Sequence, residues 1–448
     1  MARSFLPTLV LALLACGCHA QPAPAAHDGG PTPIDDDAAI EIDAAIETDA
    51  AIAVDDGGVP SEIDASTTPT DAGTPSIDVR ALGPGLGAYP IDPLILADTR
   101  DGGGCVEVPA LGPSMPAVKI ELERCAMAAL PTDPRAAAVT VTVIPRDPAP
   151  MYVQIGHTPL WIVERAPATH HLIAPLFGGA LVVKSDGREA DLVVELTAVF
   201  APENDVSSRA RILTAPLRAI STFAGEASAF GPELAPGVER VLSIADLAPA
   251  SIGVPPEEIT GVIAVAHVVP RASCAASPFS LALGPERDRE RPRLEGLTTV
   301  ARCDRELSPW SEGVVIGTRR GALAVRLEGA EADVALDVIG FMTNKRSGAA
   351  LLFVPLAPVV IGADLDGESR AEIPVRGALA VAGSVRAWAI DRGTVSIGVA
   401  PRGRASMLVA PERQDETWLS YPIDGIGVAV GSTVPARVEI SIDSIFAF

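Results

Sequence analysis

Two strand-like segments recur three times, in the same order, between residues 139 and 446, and this repetition limits the fold more than any other feature. Ala190-Asp-Leu-Val-Val-Glu-Leu-Thr-Ala-Val-Phe200 and Ala436-Arg-Val-Glu-Ile-Ser-Ile-Asp-Ser-Ile-Phe446 agree in length and apolar alternation. Ala332-Asp-Val-Ala-Leu-Asp-Val-Ile-Gly-Phe341 reads as the same strand one residue shorter. Upstream of each lies a second recurring strand, at 139–144, 264–269 and 385–390. Strict alternation, as in Val139-Thr-Val-Thr-Val143, marks a strand with one buried face. No segment carries a long apolar stripe with the 3.6-residue period of a helix. The sequence therefore predicts an all-β protein with three tandem β-sandwich-like domains, at 80–205, 206–347 and 348–448. The charged, proline-rich stretch 284–303 lengthens the second copy and reads as a surface insertion.

These segments carry a family resemblance. Leu96-Ala-Asp98-Thr99-Arg100, a cysteine-containing loop ending near Leu130-Pro131, Ala138-Val-Thr-Val-Thr-Val143 and a terminal Asp337-Val-Ile-Gly-Phe341 follow one another as motifs. Their order resembles a β repeat of secreted bacterial proteins, which opens on "DTR", has "LNVT" in its middle and closes on "DV-GYF". In the opening motif the later copies depart, with Leu217-Arg218 in the second and Pro358-Val-Val-Ile361 in the third. The resemblance implies a surface module without assigned catalytic residues. Asp98 and Arg100 are expected to form a structural ion pair at a strand end.

The N-terminal segment points to export. Arg3 precedes an apolar run from Phe5 to Ala15, too short to span a bilayer and of signal-peptide length. Leu13-Leu14-Ala15-Cys16 resembles the bacterial lipobox, which implies a signal peptide over 1–18 and lipidation of Cys16. Cys18 is the weaker candidate, since Ala15 would stand where the motif prefers Leu. Gly17 after Cys16 gives no inner-membrane retention signal, so the expected location is the outer membrane, facing the surface or the periplasm. Residues 19–79 hold 14 acidic residues, no Lys or Arg and no aromatic residue. A hexad beginning at Asp37, Asp43 and Asp49 runs through this tract, and its period fits neither helix nor strand. It reads as a disordered acidic tether, spanning roughly 40–45 Å as a random coil.

A net charge of −23 argues against nucleic acid and anionic lipid surfaces as partners. The expected partners are the membrane, through the acyl anchor, and a polysaccharide or surface protein. Oligomeric state is not legible. Beyond the lipobox region four cysteines remain: Cys105, Cys125, Cys274 and Cys303. In an oxidising compartment, pairs within one domain suggest disulfides. A Cys₄ zinc site is the rival, without the C-x₂-C spacing that structural zinc favours.

A search for chemistry returns little. The chain has no G-x-S-x-G, H-E-x-x-H, P-loop or strand-following G-x-G-x-x-G. His170 and His171 are adjacent, so in an extended chain they diverge and cannot share a metal; an exposed loop is the expected setting. His267, which replaces a threonine of the equivalent strand, is expected on a solvated face. Asp364-Leu-Asp366-Gly367-Glu368 opens like a calcium loop but lacks its distal glutamate, and reads as a turn. Neither metal nor cofactor is expected. Trp418 and Tyr421 could line a shallow sugar-binding groove. The reading that follows is a non-catalytic cell-envelope lipoprotein displaying tandem β domains for adhesion or envelope interaction. A glycan-binding surface module is the alternative, and a surface hydrolase with paired carboxylates is third.

Overall fold

A computed structural model describes most of residues 84–448; residues 1–83 and several connecting segments, the longest being 272–279, 287–297 and 301–309, lie outside the described residues. The described residues fall within one compact unit. Among them are twenty-four strands, in three sets of eight.

The first set comprises β1 (Leu86–Asp98), β2 (Ala117–Glu121), β3 (Ala136–Pro145), β4 (Met151–Ile155), β5 (Thr158–Ile162), β6 (Ala168–Pro175), β7 (Ala180–Ser185) and β8 (Ala190–Pro202). They form two antiparallel sheets, in the orders β1-β8-β3-β6 and β2-β7-β4-β5. The second set is β9 (Arg209–Ser221), β10 (Glu239–Ser243), β11 (Ile259–Pro270), β12 (Ser280–Pro285), β13 (Thr298–Val300), β14 (Trp310–Gly317), β15 (Ala322–Glu328) and β16 (Ala332–Thr343). The third is β17 (Leu352–Leu365), β18 (Arg370–Pro374), β19 (Ala380–Ala389), β20 (Gly393–Ile397), β21 (Ala405–Val409), β22 (Asp415–Pro422), β23 (Gly427–Ser432) and β24 (Ala436–Ala447). Both repeat the same order: first-eighth-third-sixth in one sheet, second-seventh-fourth-fifth in the other. That strand order is the jelly-roll arrangement, a double-sheet sandwich. The expected all-β fold with three sandwiches is what the chain adopts.

Alternation explains each sandwich core. Val139, Val141 and Val143 are buried at 0–2% exposure, as are Leu192, Val194 and Leu196 opposite them. The eighth strand then breaks phase. Register slips between Ala138 and Val139, between Ile263 and Ala264, and between Ala382 and Gly383 leave one extra residue on each eighth strand. That residue is Thr197, Ile339 or Asp443, the same position in all three copies. A bulge exchanges the faces of everything beyond it. In the second sandwich, Phe341 consequently joins the intersheet core while Met342 turns away from it. The β16 strand is therefore not one residue short: Met342, not Phe341, is the counterpart of Phe200 and Phe446. The same register places Gly383, rather than Val385, opposite the position of Val139, so the third copy is displaced by two residues from the sequence alignment.

The three sandwiches close on one another in a ring. Leu86 of β1 pairs with Phe353 of β17, which fuses two inner sheets into eight strands. Ala88 of β1 bridges Ser208, just before β9, and Ala210 of β9 bridges Leu351, just before β17. At the centre, the cross-strand pairs Ala88–Phe200, Ala210–Met342 and Phe353–Phe446 line one narrow apolar crevice. Around it, the sixth strand of each sandwich packs over a neighbour's inner sheet: β14 on β6, β8 and β1, β22 on β14, β11 and β9, and β6 on β22 and β19. The bulge residues bind across these seams. Thr197 Oγ1 donates to Val315 O at 2.8 Å, and Asp443 Oδ2 accepts from Thr158 Oγ1 at 3.3 Å.

Candidate functional site

The seams bury polar residues that alternation alone would send to solvent. Thr140 on β3 faces away from its own core, yet its exposure is 1%. Opposite it on β6 stands His171, whose Nδ1 lies 2.8 Å from Thr140 Oγ1. From the second sandwich, Glu312 on β14 reaches the free edge of β6. Its Oε1 accepts the backbone N–H of His171 at 2.9 Å and lies 3.3 Å from His170 Nδ1. An exposed strand edge offers unpaired donors, and a carboxylate satisfying one of them closes that edge. His170, His171 and Glu312 are all at least 96% buried. Burial pushes the His171 imidazole down to about 4; Glu312 opposes that shift and His170 adds to it. The expectation of an exposed histidine pair in a loop is thus corrected: both lie on a strand under a neighbouring sandwich.

A second polar row crosses the inner sheet of the second sandwich. Arg218 on β9 forms a two-pronged ion pair with Asp337 on β16 and also bonds Glu226 at 2.5 Å. Asp337 Oδ2 lies 3.3 Å from Nε2 of His267 on β11, and His267 Nδ1 lies 2.7 Å from Ser311 Oγ on β14. Burial acts to raise the Asp337 carboxyl, but hydrogen bonds with His267 and Arg218 outweigh it and hold the group down at about 2. His267 was expected on a solvated face; β22 of the third sandwich lies over that face instead, and His267 is buried. Serine, histidine and aspartate in a chain have the composition of a hydrolase triad. Ser311, however, has no exposed surface at all, so no substrate carbonyl reaches its oxygen. This row is a structural network.

Strand ends of the first two sandwiches share a third device. Thr99 Oγ1 accepts the N–H of Leu192 at 2.9 Å, Thr99 Oγ1 bonds Asp191, and Arg146 grips Asp191. Thr222 Oγ1 accepts the N–H of Val334 at 2.8 Å, Thr222 bonds Asp333, and Arg271 grips Asp333. The counterpart of Asp98-Thr99-Arg100 in the second copy is therefore Ser221-Thr222-Phe223, not Leu217-Arg218. In both, the first residue's side chain accepts the N–H two residues on, from Arg100 or from Phe223. Asp98 and Arg100 form the expected ion pair, 2.5 Å long, and the Arg100 hydrogen bond lowers the Asp98 carboxyl.

Other candidates separate. Cys105 and Cys125 are joined in a disulfide. Cys274 and Cys303 lie outside the described residues, as does Cys16. Trp418 and Tyr421 occupy β22 opposite Ser384 and Val381, and their side chains lie outside the described residues. Asp364 is exposed, and Gly367 takes φ +59° in a turn there. Among the described residues, no group of three or more His, Cys, Asp and Glu is placed to hold a metal ion. No protein-family model matches the sequence, and no curated protein matches it either.

Proposed function

We propose that the chain is a non-catalytic cell-envelope lipoprotein, anchored through Cys16 and displaying its three sandwiches for adhesion or envelope organisation. One observation carries the reading. A lipobox-like segment is followed, over residues 19–79, by 61 residues without Lys, Arg, Phe, Trp or Tyr, and only then by the β strands. That order is the layout of an anchor, a spacer and a displayed head. Several acyl chains on one cysteine give stable membrane attachment where a single chain is marginal. The head supports the reading in its chemistry: the groups closest to a catalytic constellation, Ser311, His267 and Asp337, are committed to one another across the buried inner sheet of the second sandwich.

Metabolic labelling with an alkyne fatty acid, combined with protease shaving of intact cells, tests this. The expected result is a labelled protein that external protease removes. A labelled but protected protein places the head in the periplasm and makes peptidoglycan the first ligand to test. Absence of label on the wild-type chain, equal to that of Cys16→Ala, overturns the anchor.

A further inference from the structure

We propose that the junction between β6 and β14 is an acid-opened joint, in which protonation of the buried His171 ring releases the edge of the first sandwich from Glu312 of the second. The junction is built for such a release. No backbone ladder joins the two strands, since each is the last of its own sheet. Glu312 instead spans the gap with one side chain, bonding the His171 N–H and facing His170. The ring of the same His171 is buried, with Nδ1 bonded to Thr140.

The groups around the ring decide the sign. On its own strand stands His170; on β3 stands Thr140, whose partner across the sheet on β8 is Glu195; on β14 stands Glu312. Strands β13 and β5 bring no titratable side chain. Half-buried Arg386 lies on β19, and β22 carries Asp415, Glu416 and Tyr421, whose side chains lie outside the described residues. Closed, the ring stays neutral down to about pH 4. Opened, it meets water and takes a proton at the ordinary value of about 6.5. Acidification between those values favours the open form by up to tenfold per unit, about 300-fold in all from well above 6.5 to well below 4. Opening uncovers the backbone donors of β6, a free edge to which another extended segment can add.

Hydrogen exchange of the intact chain, at pH values from 7.5 to 4.5 and corrected for intrinsic rates, tests the joint. Opening constants of β6 and β14 amides are expected to rise about 40-fold between pH 6.5 and 4.5, while β4 and β7 in the other sheet keep their protection. His171→Gln retains a partner for Thr140 without a proton to gain, and should flatten the pH dependence at β6. The wild-type ring provides a second readout, because exchange of its C2 hydrogen reports its own titration. A midpoint near 6.5 overturns the proposal, as does pH-independent protection at β6. Equal loss of protection in all three sandwiches also overturns it, since acid would then be unfolding the whole head.

Discussion

The ring of Phe353, on the first strand of the third sandwich, packs 4.4 Å from that of Phe200, on the last strand of the first. Phe446 completes the stack at 5.8 Å. The two positions equivalent to Phe353 are Ala88 and Ala210. One large ring therefore fills a central crevice that the other two copies leave to methyl groups. Replacing it leaves alanine at all three equivalent positions and strips Phe200 and Phe446 of the ring they pack against.

Phe353→Ala should accordingly cost on the order of 3–5 kcal/mol. The loss falls on the contact between sandwiches more than on any one core. Calorimetry should show one unfolding transition for the wild-type head and two for the variant, with the third sandwich leaving first. An unchanged single transition would mean that the crevice does not couple the first and third sandwiches.

The Thr99 and Thr222 clasps make a paired prediction. Each hydroxyl satisfies a strand-end N–H that would otherwise lose its partner, and each bonds the aspartate held by an arginine. Substituting valine preserves shape and removes the acceptor. Thr99→Val and Thr222→Val should each destabilise by about 1–3 kcal/mol, in denaturant titrations with unchanged slope. The structural equivalence predicts similar losses at both sites. A loss at Thr99 alone would show that the second copy uses Thr222 differently.

Much of this architecture is legible in the sequence because strand cores obey alternation: Val139, Val141 and Val143 announce their sandwich directly. What alternation cannot report is a second layer of burial. Thr140, His171 and His267 occupy the face that a lone sandwich gives to water, and a neighbouring sandwich covers it. Polar residues selected to satisfy that seam look the same as solvated ones in the sequence. Bulges blur the repeat for a related reason. Ile339 is one unpaired residue in β16, and without it in the register Phe341 passes for the counterpart of Phe200. Glu312 was missed outright, although it occupies in β14 the register position that His170 occupies in β6. A signal existed there: a lone glutamate within the apolar run of a strand whose other copies place histidine and threonine at that position.

Asp337 supplies the pH prediction that the fold makes outside the histidine seam. Its carboxyl sits at about 2 in the folded chain, against the ordinary aspartate value of 3.8. A group lowered on folding contributes stability above its unfolded value and loses that contribution as pH falls to its folded value. The contribution is on the order of 2 kcal/mol at neutral pH, and it disappears between pH 3.8 and about 2. Asp337→Asn should therefore be less stable than wild type by about that amount at pH 7, and the gap should close toward pH 2. Comparing the two chains at each pH cancels the separate contribution of His171, which is lost at higher pH, between about 6.5 and 4. Urea unfolding across that range gives the difference curve. A gap independent of pH would mean that the charge on Asp337 contributes nothing, and that the row across β9, β16, β11 and β14 is maintained by shape rather than by charge.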